Sequence, residues 1–221
     1  MQEFIALFIR IIDFVLHIDV HLHTIITDYG IWSYLVLFLI VFAETGLVVT
    51  PFLPGDSLLF AAGALCTGES LHFLPLVLVL ITAAIIGDAV NYHIGQYLGP
   101  KVLTGNHRFL KPEYLAKTQS FYDKYGVKTI VIARFVPIVR TFAPFLAGVG
   151  NMSYRTFVTY NIIGAALWVG VCTTAGYFFG NMPNVKKNFG LVVIGIIIVS
   201  VLPMVVEFVR HKMAQAKMQN Q

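Results

Sequence analysis

The stretch Thr129-Ile-Val-Ile-Ala-Arg-Phe-Val-Pro-Ile-Val-Arg-Thr-Phe-Ala-Pro-Phe-Leu-Ala-Gly148 places two arginines, Arg134 and Arg140, in a run that is otherwise as apolar as a membrane segment. A guanidinium does not lose its proton in proteins, so each arginine costs about 2.5–3.5 kcal/mol at the centre of a bilayer. Pro137 and Pro144 in the same run predict a broken helix. Two fixed positive charges on broken backbone at membrane depth predict an anion site, or ion-pair partners for buried carboxylates.

The composition of the whole chain is that of a membrane protein. Hydrophobic residues make up 57% of its 221 residues and charged residues 12%, whereas about 25% is usual in soluble domains. The net charge of +4 is small, and its basic residues gather in one connection and the C-terminal tail, so it reports topology and not nucleic-acid binding. Cys66 and Cys172 lie in apolar stretches and are predicted to be buried thiols, neither a disulfide nor a metal pair.

The hydropathy pattern predicts an all-α integral membrane protein with a single membrane domain at 29–210. An amphipathic region at 1–28 precedes it and a polar cytoplasmic tail at 211–221 follows. Spanning helices are expected at residues 31–49, 74–98, 156–179 and 189–209. The apolar segment 51–66 is too short to span and is interrupted at Pro54-Gly55, so it is predicted to be re-entrant.

The two halves of the chain, 31–99 and 129–209, resemble each other across a basic connection at 100–128. Each half has a broken Phe-x-Pro segment that ends in Ala-Gly, followed by a helix closed by Gly-x-x-x-Gly. The positive-inside rule places the basic connection and both termini in the cytoplasm. The broken segments then enter from opposite sides, which predicts a helical bundle with two opposed re-entrant segments in an inverted-topology repeat and a substrate site at the midplane.

Glu44 and Asp56 are the candidate partners of the two arginines. Burial favours the neutral form of a lone carboxyl and a nearby arginine favours the charged form, so such a group can exchange a proton during transport. A purely structural ion pair explains Glu44 equally well. Asp56 follows Pro54-Gly55, where capping of a short half-helix would by itself explain it. The functional interpretation adds that the ends of half-helices meet at the centre of an inverted repeat.

Asp88 and Asn91 lie in apolar surroundings on one predicted helix, and we favour interhelical hydrogen bonding over substrate contact for Asp88. Asp13, His17 and His21 recur every four residues, but no Cys or HExxH motif completes a zinc site, so no metal is expected. No cofactor-binding fingerprint is present, and no cofactor is expected.

The motifs together resemble the DedA family of bacterial inner-membrane proteins, part of a wider group named SNARE-associated Golgi proteins. The resemblance covers about residues 30–180 and rests on these motifs: Glu44, Pro54-Gly55-Asp56, Gly87-Asp88-x-x-x-Tyr92-x-x-Gly95 and Arg134-Phe-x-Pro137-x-x-Arg140-Thr141. It implies proton-dependent membrane homeostasis, envelope integrity and return of undecaprenyl phosphate across the membrane. It also implies that Glu44, Asp56, Arg134 and Arg140 are functional. Gln96 departs from the arginine that many members carry there.

The sequence therefore predicts a proton-coupled transporter of a lipid phosphate, with undecaprenyl phosphate as the favoured substrate. Arg134 and Arg140 would bind the head group and Glu44 and Asp56 would carry protons, with Asp88, Asn91, Tyr92 and Thr141 in support. A proton-coupled exporter of small cations or drugs is one alternative; a lipid scramblase or lipid-phosphate enzyme is another. An enzyme is disfavoured because no nucleophile or histidine accompanies the arginines. A multi-pass protein of the bacterial inner membrane is expected, with membrane lipid and protons as partners and homo-oligomerisation left open.

Overall fold

A computed structural model describes residues 30–46, 55–67, 71–104 and 112–180, with a few isolated positions between 182 and 195. Within these residues the protein is helical and contains no strand. The helices are α1 (Trp32–Gly46), α2 (Gly55–Ala64), α3 (Phe73–Thr104), α4 (Pro112–Tyr125), α5 (Thr129–Ala133), α6 (Pro137–Val149) and α7 (Tyr154–Phe179). The predicted N-terminal region, the helix at 189–209 and the tail lie outside the described residues.

Two of these helices are long and apolar enough to cross a membrane, over Phe73–Gly99 in α3 and Tyr154–Phe179 in α7. Both predicted spans, 74–98 and 156–179, are confirmed as helices. Helix α3 continues to Thr104, beyond the expected end. Helix α1 is described over Trp32–Gly46, and residues 47–49 of the predicted span lie outside the described residues.

The arginine-bearing stretch is broken, as its prolines predict. Helix α5 ends at Ala133, and α6 begins at Pro137 after a turn. Proline suits the first position of a helix because no intrahelical bond needs its missing N–H. Val136 before it is extended, with φ −122° and ψ 103°, the conformation that a following proline favours. Pro144 lies inside α6 without ending it, although it provides no N–H for the carbonyl of Arg140.

The basic connection is not simply a polar loop. Helix α4 occupies part of it and packs on α6. The phenol of Tyr122 on α4 donates to the carbonyl of Ala143, at 2.8 Å. Burial raises the pKa of Tyr122, so its hydroxyl keeps the proton that it donates. The connection therefore covers one side of the second broken segment.

The short helix α2 packs closely on α7. A Cβ at Gly63 would overlap the carbonyl of Thr173, and one at Gly176 would overlap the carbonyl of Phe60. The two backbones thus approach at small residues, the usual way for helices to associate in membranes.

Helices α3 and α6 pack in the same way. A Cβ at Gly148 would overlap the carbonyl of Tyr92, and one at Gly95 would overlap the carbonyl of Phe145. In this way the short helix of each half lies against the long helix of the other half. The apolar core beside them includes Leu37, Val41, Leu58, Leu59, Leu76, Leu80 and Val169.

This packing predicts an unequal response to two glycine substitutions on α7. Gly176→Ala should destabilise the protein by about 1–3 kcal/mol, because the added methyl group forces α2 and α7 apart. Gly170→Ala is the matched control, since nothing lies within 4 Å of a Cβ there. Thermal unfolding in detergent measures the difference. Equal melting temperatures for the two variants would contradict the close approach.

Candidate functional site

Arg140 on α6 holds both predicted carboxylates. Its guanidinium pairs with Oε1 of Glu44, at the end of α1, and with Oδ1 of Asp56, in the first turn of α2, at 3.0 Å. The side chain of Glu44 is 3% exposed and that of Asp56 is 31% exposed. One planar guanidinium thus joins three helices from both halves of the chain.

The start of α2 also faces Glu44. The N–H of Gly55 donates to Oε1 of Glu44 at 3.2 Å, and a Cβ at Gly55 would overlap the carboxylate. Only glycine lets the backbone come this close. The N-terminal end of a helix favours a nearby anion. Asp56 lies in the first turn of α2, and the residues before Gly55 lie outside the described part of the chain, so capping by Asp56 stays an untested alternative.

Trp168 on α7 joins the Arg140 site through two different contacts. Its indole Nε1 donates to Oδ1 of Asp56 at 2.7 Å. Its ring lies 4.6 Å from Cζ of Arg140 and 5.8 Å from Cζ of Arg134, measured to the ring centroid. A cation over an indole face is attracted by its quadrupole, by about 0.5–2 kcal/mol. Trp168 therefore orients both the cation and one of its anions.

Arg134 has a different set of partners. It follows α5, and its Nη2 pairs with Oδ2 of Asp88 on α3 and donates to Oδ1 of Asn161 on α7 at 2.5 Å. Asn161 in turn donates to the carbonyl of Ile85 at 3.1 Å. A Cβ at Gly164 would lie 3.0 Å from the arginine side chain. Arg134, Asp88 and Asn161 form a buried cluster that ties α3 and α7 to the break.

Asn91 joins three helices near the site. Its Nδ2 donates to the carbonyl of Thr45 on α1 at 3.2 Å and to that of Thr141 on α6 at 2.9 Å. Tyr92 lies apart from the site. Its hydroxyl donates to the carbonyl of Met152, and its ring stacks on Phe157 with centroids 4.5 Å apart.

A small cavity of about 10 Å³ joins the two arginine clusters. It is lined by Glu44, Thr45, Asp88, Arg134, Arg140, Thr141 and Trp168. This space is close to what a single water needs, so a phosphate group enters only if the helices separate. Oε2 of Glu44 and Nε of Arg134 are buried without a hydrogen-bond partner. A water or a ligand group could therefore form hydrogen bonds with these two atoms.

In the structure the predicted charged site residues fall into two separate clusters. The structure brings together Glu44, Asp56 and Arg140, with Thr141 at the same cavity. Arg134 does not meet Glu44 or Asp56 and pairs with Asp88, for which we favoured interhelical hydrogen bonding.

Trp168 and Asn161 were not predicted as site residues. The signals for them are a tryptophan in the middle of a spanning helix, away from the interfaces where tryptophan is usual, and a lone asparagine in the same helix.

The described residues contain no group of three His, Cys, Asp or Glu side chains that could hold a metal ion. Asp13, His17 and His21 lie outside them. Cys66 and Cys172 are free, as predicted; Cys66 is buried and Cys172 is half-buried.

Acid–arginine pairs at the break of apolar helices, together with two helices long enough to span a bilayer, are typical of a polytopic membrane protein with an internal polar site. The VTT domain family matches residues 53–178. The chain is 58% identical over 210 residues to Protein DedA of Escherichia coli K12, covering 94% of this chain and 96% of that protein. The chain belongs to the DedA family.

More distant relatives are also membrane proteins. An uncharacterized membrane protein of Mycobacterium leprae is 42% identical over 165 residues, 74% of each chain. Inner membrane protein YghB of Salmonella typhimurium is 37% identical over 156 residues, covering 70% of this chain and 71% of that protein. No solved structure matches.

Proposed function

We propose that this DedA-family membrane protein is a proton-coupled transporter that moves a lipid phosphate across the bacterial inner membrane and so supports envelope integrity. Undecaprenyl phosphate is the favoured substrate, on the strength of the family resemblance. The observation that carries the proposal is the sharing of one largely buried guanidinium, Arg140, between two carboxylates, Glu44 and Asp56.

Phosphate suits this site because it can replace carboxylate on arginine. The planar guanidinium binds either group through two parallel hydrogen bonds. A phosphate that reaches Arg140 competes with Glu44 and Asp56, and a carboxylate that loses its cation in a low-dielectric site takes up a proton more readily. Substrate binding and proton uptake are then linked, so a proton gradient can drive the cycle.

The reciprocal packing supports an inverted repeat of two re-entrant segments as the framework of transport. Phe60-x-Ala-Gly63 lies on α7, and Phe145-x-Ala-Gly148 lies on α3 through equivalent close contacts. In such repeats the substrate binds near the midplane between broken helices. Rocking of α2 with α7 against α3 with α6 would open the small cavity to the phosphate.

The basic connection and both termini are proposed to be cytoplasmic, since they carry most of the Lys and Arg. The test uses Ser120→Cys on exposed α4, with Cys66 and Cys172 replaced by alanine. An impermeant thiol reagent should label it only after cells are permeabilised. Labelling in intact cells would reverse the orientation.

An exporter of small cations or drugs is the second candidate, because three carboxylates and two arginines line or contact one cavity. In that case the acids would bind the substrate. Transport is proposed over catalysis because the residues that line the cavity include no histidine. The proposed partners are membrane lipid and protons, with no nucleic acid; whether the protein forms a homo-oligomer is left open.

Tryptophan fluorescence tests the anion site directly. The chain has two tryptophans, so Trp32→Phe leaves Trp168 as the only reporter. Farnesyl phosphate, a short polyprenyl phosphate, should change its emission by moving Arg140 on the ring, whereas farnesol should not. Equal responses to both compounds, or a response only to organic cations, would contradict a phosphate site.

A further inference from the structure

Glu44 and Asp56 were given the same role, but their surroundings differ. Asp56 accepts the indole N–H of Trp168 in addition to Arg140, and 31% of its side chain is exposed. The other donor to Glu44 is the N–H of Gly55, which shares Oε1 with Arg140. Oε2 of Glu44 is buried and has no partner.

We propose that Glu44 alone takes up the proton, while Asp56 stays an anion because Trp168 holds it; this inference rests on the proposed lipid-phosphate transport. When phosphate displaces both acids from Arg140, Asp56 keeps a strong N–H donor and access to water. Glu44 keeps one hydrogen bond in a site with little water. An uncompensated negative charge is therefore far more costly on Glu44 than on Asp56.

The charges around Glu44 point to the same atom. The cavity beside Glu44 is lined or contacted by four other charged residues: Arg140 on α6, Asp56 on α2, Asp88 on α3 and Arg134 after α5. Among the lining residues, α7 contributes the uncharged Trp168. Asp88 stays paired with Arg134 during the exchange, so this pair does not neutralise the negative charge that the arriving phosphate adds. A proton from the aqueous phase that bonds to Oε2 of Glu44 removes one negative charge and makes an O–H donor of an unpaired oxygen.

Trp168 is thus a positioning residue that acts through Asp56. Trp168→Phe retains a ring under Arg140 but removes the N–H. Asp56 then loses its indole donor after the exchange, so its carboxylate takes up a proton more readily than in the wild type. A residue with a packing role alone would not alter the number of protons taken up.

The experiment measures protons and ligand separately on the purified full-length protein in detergent. A pH-indicator dye in weak buffer near pH 8, where a phosphate monoester is fully ionised, follows proton uptake on addition of farnesyl phosphate. Equilibrium dialysis of the labelled compound gives the amount bound. We expect about one proton per bound phosphate in the wild type and in Asp56→Asn, and about none in Glu44→Gln. Trp168→Phe should take up more protons per bound phosphate than the wild type, and Trp32→Phe, the matched control, should equal the wild type.

Proton uptake that persists in Glu44→Gln, or disappears in Asp56→Asn, would overturn the assignment. So would binding to the wild type with no proton uptake, or a Trp168→Phe variant that behaves like Trp32→Phe. If Trp168→Phe does not fold, the comparison of Glu44→Gln with Asp56→Asn still shows which carboxyl takes up the proton. Absence of farnesyl phosphate binding to the wild type would instead overturn the proposed function, and this inference with it.

Discussion

Arg140→Lys should reduce proton-driven uptake of lipid phosphate at least about tenfold while the protein still inserts and folds. Lysine keeps the positive charge but loses the planar fork. In the structure that fork binds Glu44 and Asp56 together and lies over the ring of Trp168. An ammonium group cannot hold two carboxylates, or a phosphate, in the same bidentate geometry. Uptake into vesicles of known protein content measures the loss.

Arg134→Lys should also lose proton-driven uptake of lipid phosphate, and it should destabilise the protein more than Arg140→Lys does. The guanidinium of Arg134 bridges Asp88 and Asn161 in a fully buried position, and a buried carboxylate that loses part of its partner is destabilising. Arg155→Lys, at an exposed arginine on α7, is the control for the substitution itself. Full uptake by Arg140→Lys or Arg134→Lys would show that a point charge is enough for transport and that phosphate is not bound in a bidentate manner.

Glu44→Gln should abolish uptake driven by a pH gradient while retaining binding of lipid phosphate, whereas Asp56→Asn should still respond to the gradient. The amide at position 44 imitates a permanently protonated acid, so the exchange of partners on Arg140 is no longer linked to proton uptake, but Asp56→Asn leaves Glu44 free to take up the proton. Without the competing carboxylate, phosphate should bind Arg140 at least as tightly as in the wild type. Asp123→Asn, at an exposed acid on α4, is the matched control.

The readout compares uptake with and without an imposed pH gradient in each variant. If Glu44→Gln still responded to the gradient, its carboxyl would not be needed for coupling, and a structural ion pair would be the better explanation for Glu44. Loss of the response in Asp56→Asn would instead show that Asp56 takes part in coupling.

The sequence predicts the membrane class and most of the site because charged residues in apolar runs are rare and costly. Glu44, Asp56 and Arg140 could be identified without a structure for that reason. The break before Pro137 follows from proline chemistry alone.

The pairing of the charges could not be predicted in the same way. Which acid meets which arginine depends on the register of α2 on α7 and of α6 on α3, and this register is set by contacts at glycines far apart in the chain. Arg134 therefore meets Asp88 and not Glu44. Trp168 and Asn161 were missed because one such residue hardly changes the mean hydropathy of a long apolar helix, and only their position in the middle of the span sets them apart.

The most direct test of the account follows a labelled polyprenyl phosphate across the membrane of vesicles that contain the purified protein. The account predicts movement that is accelerated by an imposed pH gradient, is abolished by a protonophore, releases no inorganic phosphate and is lost in Arg140→Lys. Movement at the same rate with and without the gradient would indicate a scramblase, and release of inorganic phosphate would indicate an enzyme. Either result would contradict proton-coupled transport.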